Sequence, residues 1–263
     1  MCQLLGVSVS ETIRLRFTWE QFARRGSVDG GNPDGWGVAY FGKRDVLLLR
    51  EPGPAVGSPL VRFLERDAPS SKYIVSHVRR ATQGAITLEN TQPFVRYMSG
   101  RAHVFAHNGH VSDIAPSSSN LCTLPVGDTD SEQLFNLLLS RLEPLWRDTN
   151  LPSLKARLSM IEGVAKVARA CGAANFIYCD GITLFVHAHR HTVPGQDISD
   201  EPGLYILERD ASDNDTSGPC DGIACDGGKG PQAVVASMPL DGQDWTPLAE
   251  GEIACLEQGR RIR

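Results

Sequence analysis

The sequence predicts an α+β fold in which antiparallel sheets are covered by helices. Strand-like segments occupy the chain up to His107, and more of them follow Gly172, with two amphipathic helical segments in between. The pair Asp180-Gly181 between two apolar segments is typical of a two-residue β-hairpin turn. Neither an internal repeat nor a linker divides the chain, so we expect one domain over residues 1–263.

Alternating or continuous apolar segments predict the strands of the first half. They cover residues 3–9, 36–41, 46–50, 73–78 and 103–107. The sequence Gly42-Lys43-Arg44-Asp45 is a tight connection that makes the second and third of them a hairpin. Capping-box spacing from Thr18 predicts a short helix that ends at Gly26, and a glycine-rich turn follows at residues 29–35.

Two helices are predicted in the middle of the chain. Asp130-Ser131-Glu132 can cap a helix over residues 133–142, and a second helix over residues 154–170 has Gly172 beyond its end. The later strands are predicted at residues 175–179, 182–189, 204–208, 233–238 and 252–257. The rest of residues 193–230 is rich in Gly, Pro, Asp and Ser and is predicted to form loops.

The composition excludes several classes of protein. The net charge is −5, with 41% hydrophobic and 22% charged residues, so we expect a globular core and neither nucleic acid nor an anionic membrane as a partner. No apolar run approaches the ~18 residues that span a bilayer. With no secretory signal and seven cysteines in no framework spacing, we expect a cytoplasmic protein with reduced thiols.

Cys2 follows the initiator methionine directly. Cysteine is small enough for Met1 to be removed, which would leave a mature chain of residues 2–263. The new first residue would carry a thiol nucleophile and a free α-amine, whose pKa near ~7.7–8.0 lets it take the thiol proton and return it to a leaving group. The alternative is that Cys2 only packs at the start of a strand.

Polar groups stand at the ends of two predicted strands and at a predicted helix start. Arg79 ends one strand with a guanidinium, which suits a carboxylate because its planar fork binds bidentately. Asn108 and Gly109 end another with a side-chain amide and a backbone N–H, a usual oxyanion hole. Asp130 could hold a substrate ammonium. The structural alternatives are a strand-end charge, a turn and a helix cap, respectively.

Together these segments resemble the class II glutamine amidotransferases, most closely the stand-alone YafJ type. The matching stretches extend over nearly the whole chain: Met1-Cys2, Leu5-Gly6, Asp34-Gly35-Trp36-Gly37, His77-Val78-Arg79, residues 88–94, Ala106-His107-Asn108-Gly109, residues 126–132 and residues 236–240. The resemblance implies the N-terminal-nucleophile hydrolase fold. This fold is a four-layer αββα sandwich of two antiparallel sheets between helical layers.

The resemblance also implies a role for each residue of the site. Cys2 is the nucleophile, and Asn108 with Gly109 forms the oxyanion hole. The α-carboxylate of the substrate is held by Arg79, with Thr82 nearby in the same motif, and its α-ammonium is held by Asp130. The chain departs from the commoner pattern at two positions: Arg80 stands where an aromatic residue is frequent, and Gln83 where the biosynthetic members often have histidine.

Other candidate sites favour structural interpretations. His187, His189 and His191 alternate and would share a face, but with no partner evident we favour a solvated or loop-capping role over metal binding. Cys220 and Cys225 do not have zinc-knuckle spacing, and residues 226–230 lack the full phosphate-loop pattern. We therefore expect no metal and no cofactor.

Three functions stay open on the sequence. The first is a free-standing enzyme that hydrolyses a small γ-glutamyl amide and releases glutamate with ammonia or an amine. The second is a glutaminase subunit that delivers ammonia or γ-glutamyl groups to a separate partner. The third is a scaffold that keeps the fold without the activity. The intact set of Cys2, Arg79, Asn108, Gly109 and Asp130 favours an enzyme over the scaffold.

Overall fold

The computed structural model describes residues 2–17, 32–112, 114, 124–147, 151–191, 199–210, 223–226 and 229–263. Several sequence features lie outside these residues: Met1, the helix predicted from Thr18 to Gly26, the first half of the glycine-rich turn, Cys122 and Cys220.

The described part of the chain forms sixteen strands, three α-helices and one short 3₁₀ helix. The strands are β1 (Gln3–Phe17), β2 (Trp36–Phe41), β3 (Val46–Glu51), β4 (Ser70–Val78), β5 (Phe94–Met98), β6 (Arg101–Val111), β7 (Gly172–Cys179), β8 (Leu184–His187), β9 (Arg190–His191), β10 (Ser199–Pro202), β11 (Tyr205–Arg209), β12 (Ile223–Asp226), β13 (Gln232–Ala236), β14 (Thr246–Pro247), β15 (Ile253–Glu257) and β16 (Arg260–Arg261). The helices are α1 (Pro59–Asp67), α2 (Asp130–Leu142) and α3 (Leu154–Cys171), and the 3₁₀ helix is Glu143–Trp146.

Two large antiparallel sheets hold most of these strands. Within the described residues, the first sheet has the order β14-β11-β13-β1-β4-β2-β3, with β12 also paired to β1. The second sheet has the order β16-β15-β8-β7-β6-β5. β9 and β10 form a separate antiparallel pair.

Three clusters of buried apolar residues show how the sheets and helices are layered. Alternate residues of the first sheet, among them Leu5 and Trp36, pack with Val61 of α1 on its outer face. The opposite face, with Leu4, packs on residues of the second sheet such as Ile177. The other face of the second sheet is covered by α2 and α3. Because successive side chains point to opposite faces of a strand, a strand of the first sheet such as β1 contributes residues to two apolar clusters. The predicted four-layer αββα sandwich is confirmed.

Close packing between the sheets accounts for one early glycine. A Cβ on Gly6 would meet the side chains of Ile177 and Leu184 at 3.0 and 3.1 Å. Those two residues belong to the second sheet, so the sheets approach each other most easily where β1 carries no side chain.

Some predicted elements need correction. The hairpin at Asp180 exists, but its loop runs over residues 180–183, because the Asp180 carboxylate accepts from the N–H groups of Ile182 and Thr183 at 3.0 and 2.9 Å. Residues 193–230 were predicted to hold one strand, yet β10 and β12 also lie there. α1 was not predicted; its N-cap is Ser58, whose hydroxyl accepts from two N–H groups of the first turn.

Of the three alternating histidines, His187 differs from expectation. His187 is fully buried rather than solvated, and its Nδ1 lies 2.6 Å from Ala174 O. His189 pairs with Glu250 at 3.4 Å. In the described ranges no group of three or more His, Cys, Asp or Glu side chains could hold a metal ion. No helix in this part of the protein is long and apolar enough to cross a membrane.

Candidate active site

Cys2 and Arg79 lie at the same end of the first sheet. β1 and β4 are antiparallel neighbours, and Gln3 at the start of β1 pairs with Val78 at the end of β4. The residue before β1 and the residue after β4 are therefore brought together. The Cys2 thiol lies against the Arg80 backbone, where Sγ accepts from Arg80 N at 3.2 Å and donates to Arg80 O at 3.3 Å.

The environment of the Cys2 thiol favours its neutral form. Burial raises the pKa of this thiol above its ordinary value, while the hydrogen bond from Arg80 N and the charge of Arg79 lower it by less. The negative charge of the Asp130 carboxylate raises the pKa of the thiol further. A thiol with a raised pKa needs a base before it can act as a nucleophile.

Arg79 is buried, and the loop after β4 wraps around its guanidinium. Nη2 donates to the carbonyl oxygens of Gln83 and Gly84 at 3.0 and 3.2 Å. Nη1 donates to Ala85 O at 3.1 Å and to Asp34 O at 3.4 Å. One side chain thus fixes the shape of residues 83–85. Thr82 lies on the same loop, exposed to solvent.

Asn108 lies near the end of β6 in the second sheet. Val104 and Ala106 on the same strand face the core between the sheets, so alternation turns Asn108 to that side too. Asn108 is 5% exposed, and within the part of the chain that the structure describes its side-chain Nδ2 has no hydrogen-bond partner. A buried amide donor of this kind is suited to binding an anion.

Gly109 is required by close packing against the neighbouring strand. A Cβ at this position would lie 2.0 Å from Ala173 O and 2.9 Å from His107 Nε2. Any larger residue would push β6 away from β7 and shift the Asn108–Gly109 peptide. The backbone of this segment therefore depends on glycine.

Asp130 is the first residue of α2, and the helix is capped by Thr129, whose hydroxyl accepts from Glu132 N at 3.3 Å. The cap was predicted at residues 130–132, which instead form the first turn of the helix. The Asp130 carboxylate accepts from Val111 N at 2.9 Å and from Ser131 N at 2.8 Å. It joins the start of α2 to the end of β6, two residues beyond Gly109.

His107 supports the site from the helix side of the second sheet. Its Nε2 lies 3.1 Å from Ala173 O, so Nε2 carries the hydrogen and Nδ1 accepts from the Ser131 hydroxyl at 2.9 Å. Burial lowers the pKa of His107, and it lowers the pKa of His77 to about 3. Both imidazoles are therefore neutral at physiological pH.

Two further residues were missed as parts of the site, although they lie in a stretch that carries the family resemblance. Gln92 Oε1 accepts from His107 N at 2.6 Å. Asn90 is buried and joins the loop after β4 to the loop before α2. Their local sequence gives no sign of these partners, which stand 15 and 38 residues away.

The sequence model of the family "Glutamine amidotransferases class-II" matches residues 1–263. A Haemophilus influenzae protein named "Putative glutamine amidotransferase" is 34% identical over 187 residues, which cover 71% of this chain and 63% of that protein. The Escherichia coli protein "Putative glutamine amidotransferase YafJ" is 27% identical over 265 residues and the full length of both chains.

Solved structures share the fold. A crystal structure of a predicted glutamine amidotransferase from Pseudomonas aeruginosa superposes with a TM-score of 0.70 at 24% identity and covers 99% of both chains. The glutamine phosphoribosylpyrophosphate amidotransferase of Bacillus subtilis gives a TM-score of 0.54 at 16% identity, over 98% of this chain and 48% of that one. The predicted N-terminal-nucleophile hydrolase fold is confirmed.

Proposed function

Because the chain belongs to the class II glutamine amidotransferases, we propose that it hydrolyses the terminal amide of a γ-glutamyl group, that of glutamine or a related compound, through a thioester on Cys2. The observation that carries this proposal is the buried Asn108 amide, which has a donor without an acceptor among the described residues. Asn108 lies on the face of the second sheet that packs against the first sheet. Cys2 directly precedes β1 of that first sheet.

The first step is attack on the substrate amide. Once Met1 is removed, the α-amine of Cys2 takes the thiol proton, and the sulfur forms a bond to the amide carbon. No histidine is needed for this transfer, which agrees with the neutral, buried state of His77 and with the engagement of both ring nitrogens of His107.

The oxygen of the substrate amide becomes negative as the carbon turns tetrahedral. Asn108 Nδ2 and the Gly109 N–H are the donors for that charge. The carbon–nitrogen bond then breaks, and the ammonium of Cys2 gives its proton to the departing ammonia or amine. The thioester that remains is hydrolysed by water, which releases glutamate and restores the thiol.

The two charged groups on the α-carbon of the substrate are held by side chains of opposite charge. Arg79 receives the α-carboxylate, which would replace the longest contact of the guanidinium, the 3.4 Å bond to Asp34 O. Asp130 receives the α-ammonium. Thr82 is exposed on the loop after β4 and can contribute a hydroxyl at the entrance. Arg79 directly precedes Arg80, whose backbone contacts the Cys2 thiol, so a carboxylate bound by Arg79 is held close to the nucleophile.

The test is release of glutamate by purified protein whose first residue is Cys2. We expect turnover with glutamine or another γ-glutamyl amide, and Asn108→Ala should lower kcat by about 10²–10³ because one oxyanion donor is lost. Asn136→Ala is the matched control, since Asn136 is also a buried asparagine but belongs to α2. Absence of glutamate from every γ-glutamyl amide would refute the proposal.

A second candidate function is that of a glutaminase subunit. The two loops joined by Asn90 expose four apolar side chains at 47–73% of their surface: Ile86, Leu88, Leu124 and Val126. Apolar residues grouped in this way favour a protein partner. A partner that consumes ammonia would raise glutaminase activity when added, and Val126→Asp should abolish that rise. Full activity of the isolated protein with no response to co-purified proteins would contradict this second function.

A further inference from the structure

We propose that Asn175 is a positioning residue that aims the Gly109 N–H at the oxyanion, an inference that rests on the proposed function. Asn175 lies on β7 directly opposite Asn108 and is 1% exposed. Its Nδ2 donates to Asn108 O at 3.3 Å and to Arg190 O at 3.1 Å, and its Oδ1 accepts from His189 N at 2.6 Å. The whole amide is engaged.

The hydrogen bond from Asn175 Nδ2 to Asn108 O controls the direction of the Gly109 N–H, because both groups belong to one peptide unit. Asn108 C=O and Gly109 N–H belong to the same planar unit, and in a trans peptide they point in opposite directions. The Asn175 amide holds the carbonyl on the β7 side. The Gly109 N–H must therefore point to the other side of β6.

The edge of β6 that faces away from β7 also contacts Asp130, the residue proposed to bind the α-ammonium of the substrate. β5 pairs with β6 only as far as Phe105, so among the described strands none pairs with this edge beyond that residue. Alternate N–H groups along the edge belong to residues 107, 109 and 111. The first donates to Gln92 Oε1 at 2.6 Å and the third to Asp130 Oδ2 at 2.9 Å. The Gly109 N–H lies between them.

Asn175 also holds the chain that follows β8. Residues 189 and 190 are tied to its amide, and a Cβ on Gly203 would lie 1.9 Å from Asn175 Oδ1. The amide is thus fixed from three sides and cannot rotate away from Asn108. A group held so firmly is suited to fix the peptide of an oxyanion hole, since electrostatic stabilisation requires donors that are already oriented.

Two variants test this role. Asn175→Leu has a similar volume and removes all three hydrogen bonds. Asn175→Asp keeps the acceptor for His189 N but loses the hydrogen bonds to Asn108 O and Arg190 O. It is the variant to measure if Asn175→Leu does not fold. Thr183→Val is the matched control, because Thr183 is buried at the opposite end of the same β7–β8 hairpin and accepts from Arg157 at 2.9 Å.

Three quantities are measured on each protein with Cys2 as its first residue: kcat and KM for glutamine, and the rate at which iodoacetamide alkylates Cys2. Alkylation attacks a saturated carbon and develops no oxyanion. If Asn175 orients the Gly109 N–H, kcat falls about tenfold or more in both variants, while KM and the alkylation rate stay within about twofold. Thr183→Val leaves all three unchanged.

Two results would overturn the inference. One is a kcat within twofold of wild type in folded Asn175→Leu or Asn175→Asp protein. The other is an equal fall in kcat and alkylation rate, which would mean a general loss of site structure. Absence of glutamine or γ-glutamyl amide turnover in the wild-type protein would instead refute the proposed function, so the two failures are distinguishable.

Discussion

The side-chain amide of Asn90 donates to Asp128 Oδ1 at 2.6 Å, and its oxygen accepts from Asp128 N at 3.0 Å. Asn90 also donates to Ala85 O at 3.1 Å, the same oxygen that accepts from Arg79 Nη1. Asp128 stands two residues before Asp130. A continuous set of contacts therefore joins the group proposed to hold the α-carboxylate to the group proposed to hold the α-ammonium.

Loss of this connection should weaken substrate binding more than catalysis. In Asn90→Ala we expect KM for glutamine to rise about tenfold, with kcat within about threefold, because the two charged groups lose their fixed spacing. Ser71→Ala is the control: its buried hydroxyl contacts Phe41 O and Tyr73 O at the other end of β4. A fall in kcat at constant KM would contradict this assignment.

Arg79 and Arg80 are neighbours with different surroundings. Arg79 is buried and donates to several loop carbonyls, whereas Arg80 is exposed. Lysine keeps the charge but cannot reproduce the planar fork, so Arg79→Lys should raise KM about tenfold or more, while Arg80→Lys should leave it unchanged. Steady-state kinetics on both variants checks this. Equal KM values in the two variants would exclude a special role for the guanidinium of Arg79.

Local patterns predicted the elements that carry the site. Residues 36–41 were predicted and found as a strand, since their apolar run between glycine-containing turns needs no knowledge of distant residues. The position of Asp130 at a helix start could also be predicted from the leucine spacing that follows. By contrast, α1 was not predicted: its capping serine stands in a stretch rich in glycine and proline, which masks the start of the helix.

Long-range contacts could not be predicted in the same way. The roles of Asn90, Gln92 and Asn175 depend on partners brought close by sheet pairing and loop packing, not by sequence. The carbonyl oxygens that accept from Arg79 are another example, because every residue has a carbonyl group and the sequence does not show which ones will be used. The family resemblance predicts which groups react, and the structure shows the contacts that hold these groups.

Buried histidines should make the fold sensitive to acid. Burial lowers the pKa of His77 to about 3 and that of His103 and His187 to about 4, below the unfolded value near 6.5. The unfolded chain therefore binds protons first as pH falls, so stability is present above pH 6.5 and is lost between there and about pH 4. At pH 5 each group costs roughly 2 kcal/mol of unfolding free energy.

Denaturant unfolding at pH 7 and pH 5 measures this loss. His103→Gln should reduce the difference between the two pH values by roughly 2 kcal/mol, while its amide can still contact the Tyr178 hydroxyl. Ser71→Ala is the control, since the buried Ser71 hydroxyl does not titrate in this range and its loss should leave the difference unchanged. An identical pH dependence in wild type and His103→Gln would contradict the neutral state of this imidazole.

Removal of Met1 should switch the protein on. While Met1 is attached, the nitrogen of Cys2 is a planar amide with no basic lone pair, and the raised pKa keeps the thiol protonated. We expect folded protein that retains Met1 to be almost inactive. Processed Cys2→Ser should also lose most activity, because a hydroxyl is far less nucleophilic than a thiol.

Intact mass and a glutaminase assay on the same sample measure this effect. The expected result is activity in proportion to the fraction of chains that begin at Cys2. Full activity in protein shown to retain Met1 would exclude the α-amine as the base. His77 and His107, which lie within two residues of Arg79 and Asn108 in the sequence, would then be the candidates for the base.

Covalent catalysis by Cys2 is tested by whether the glutamyl group becomes attached to its sulfur during turnover. Processed protein is mixed with glutamine, quenched in acid within a turnover, digested and analysed by mass spectrometry. We predict a glutamyl group on the N-terminal peptide that is absent from Cys2→Ser protein. Turnover of glutamine with an unmodified Cys2 at every quench time, or with the glutamyl group on another residue, would contradict the account.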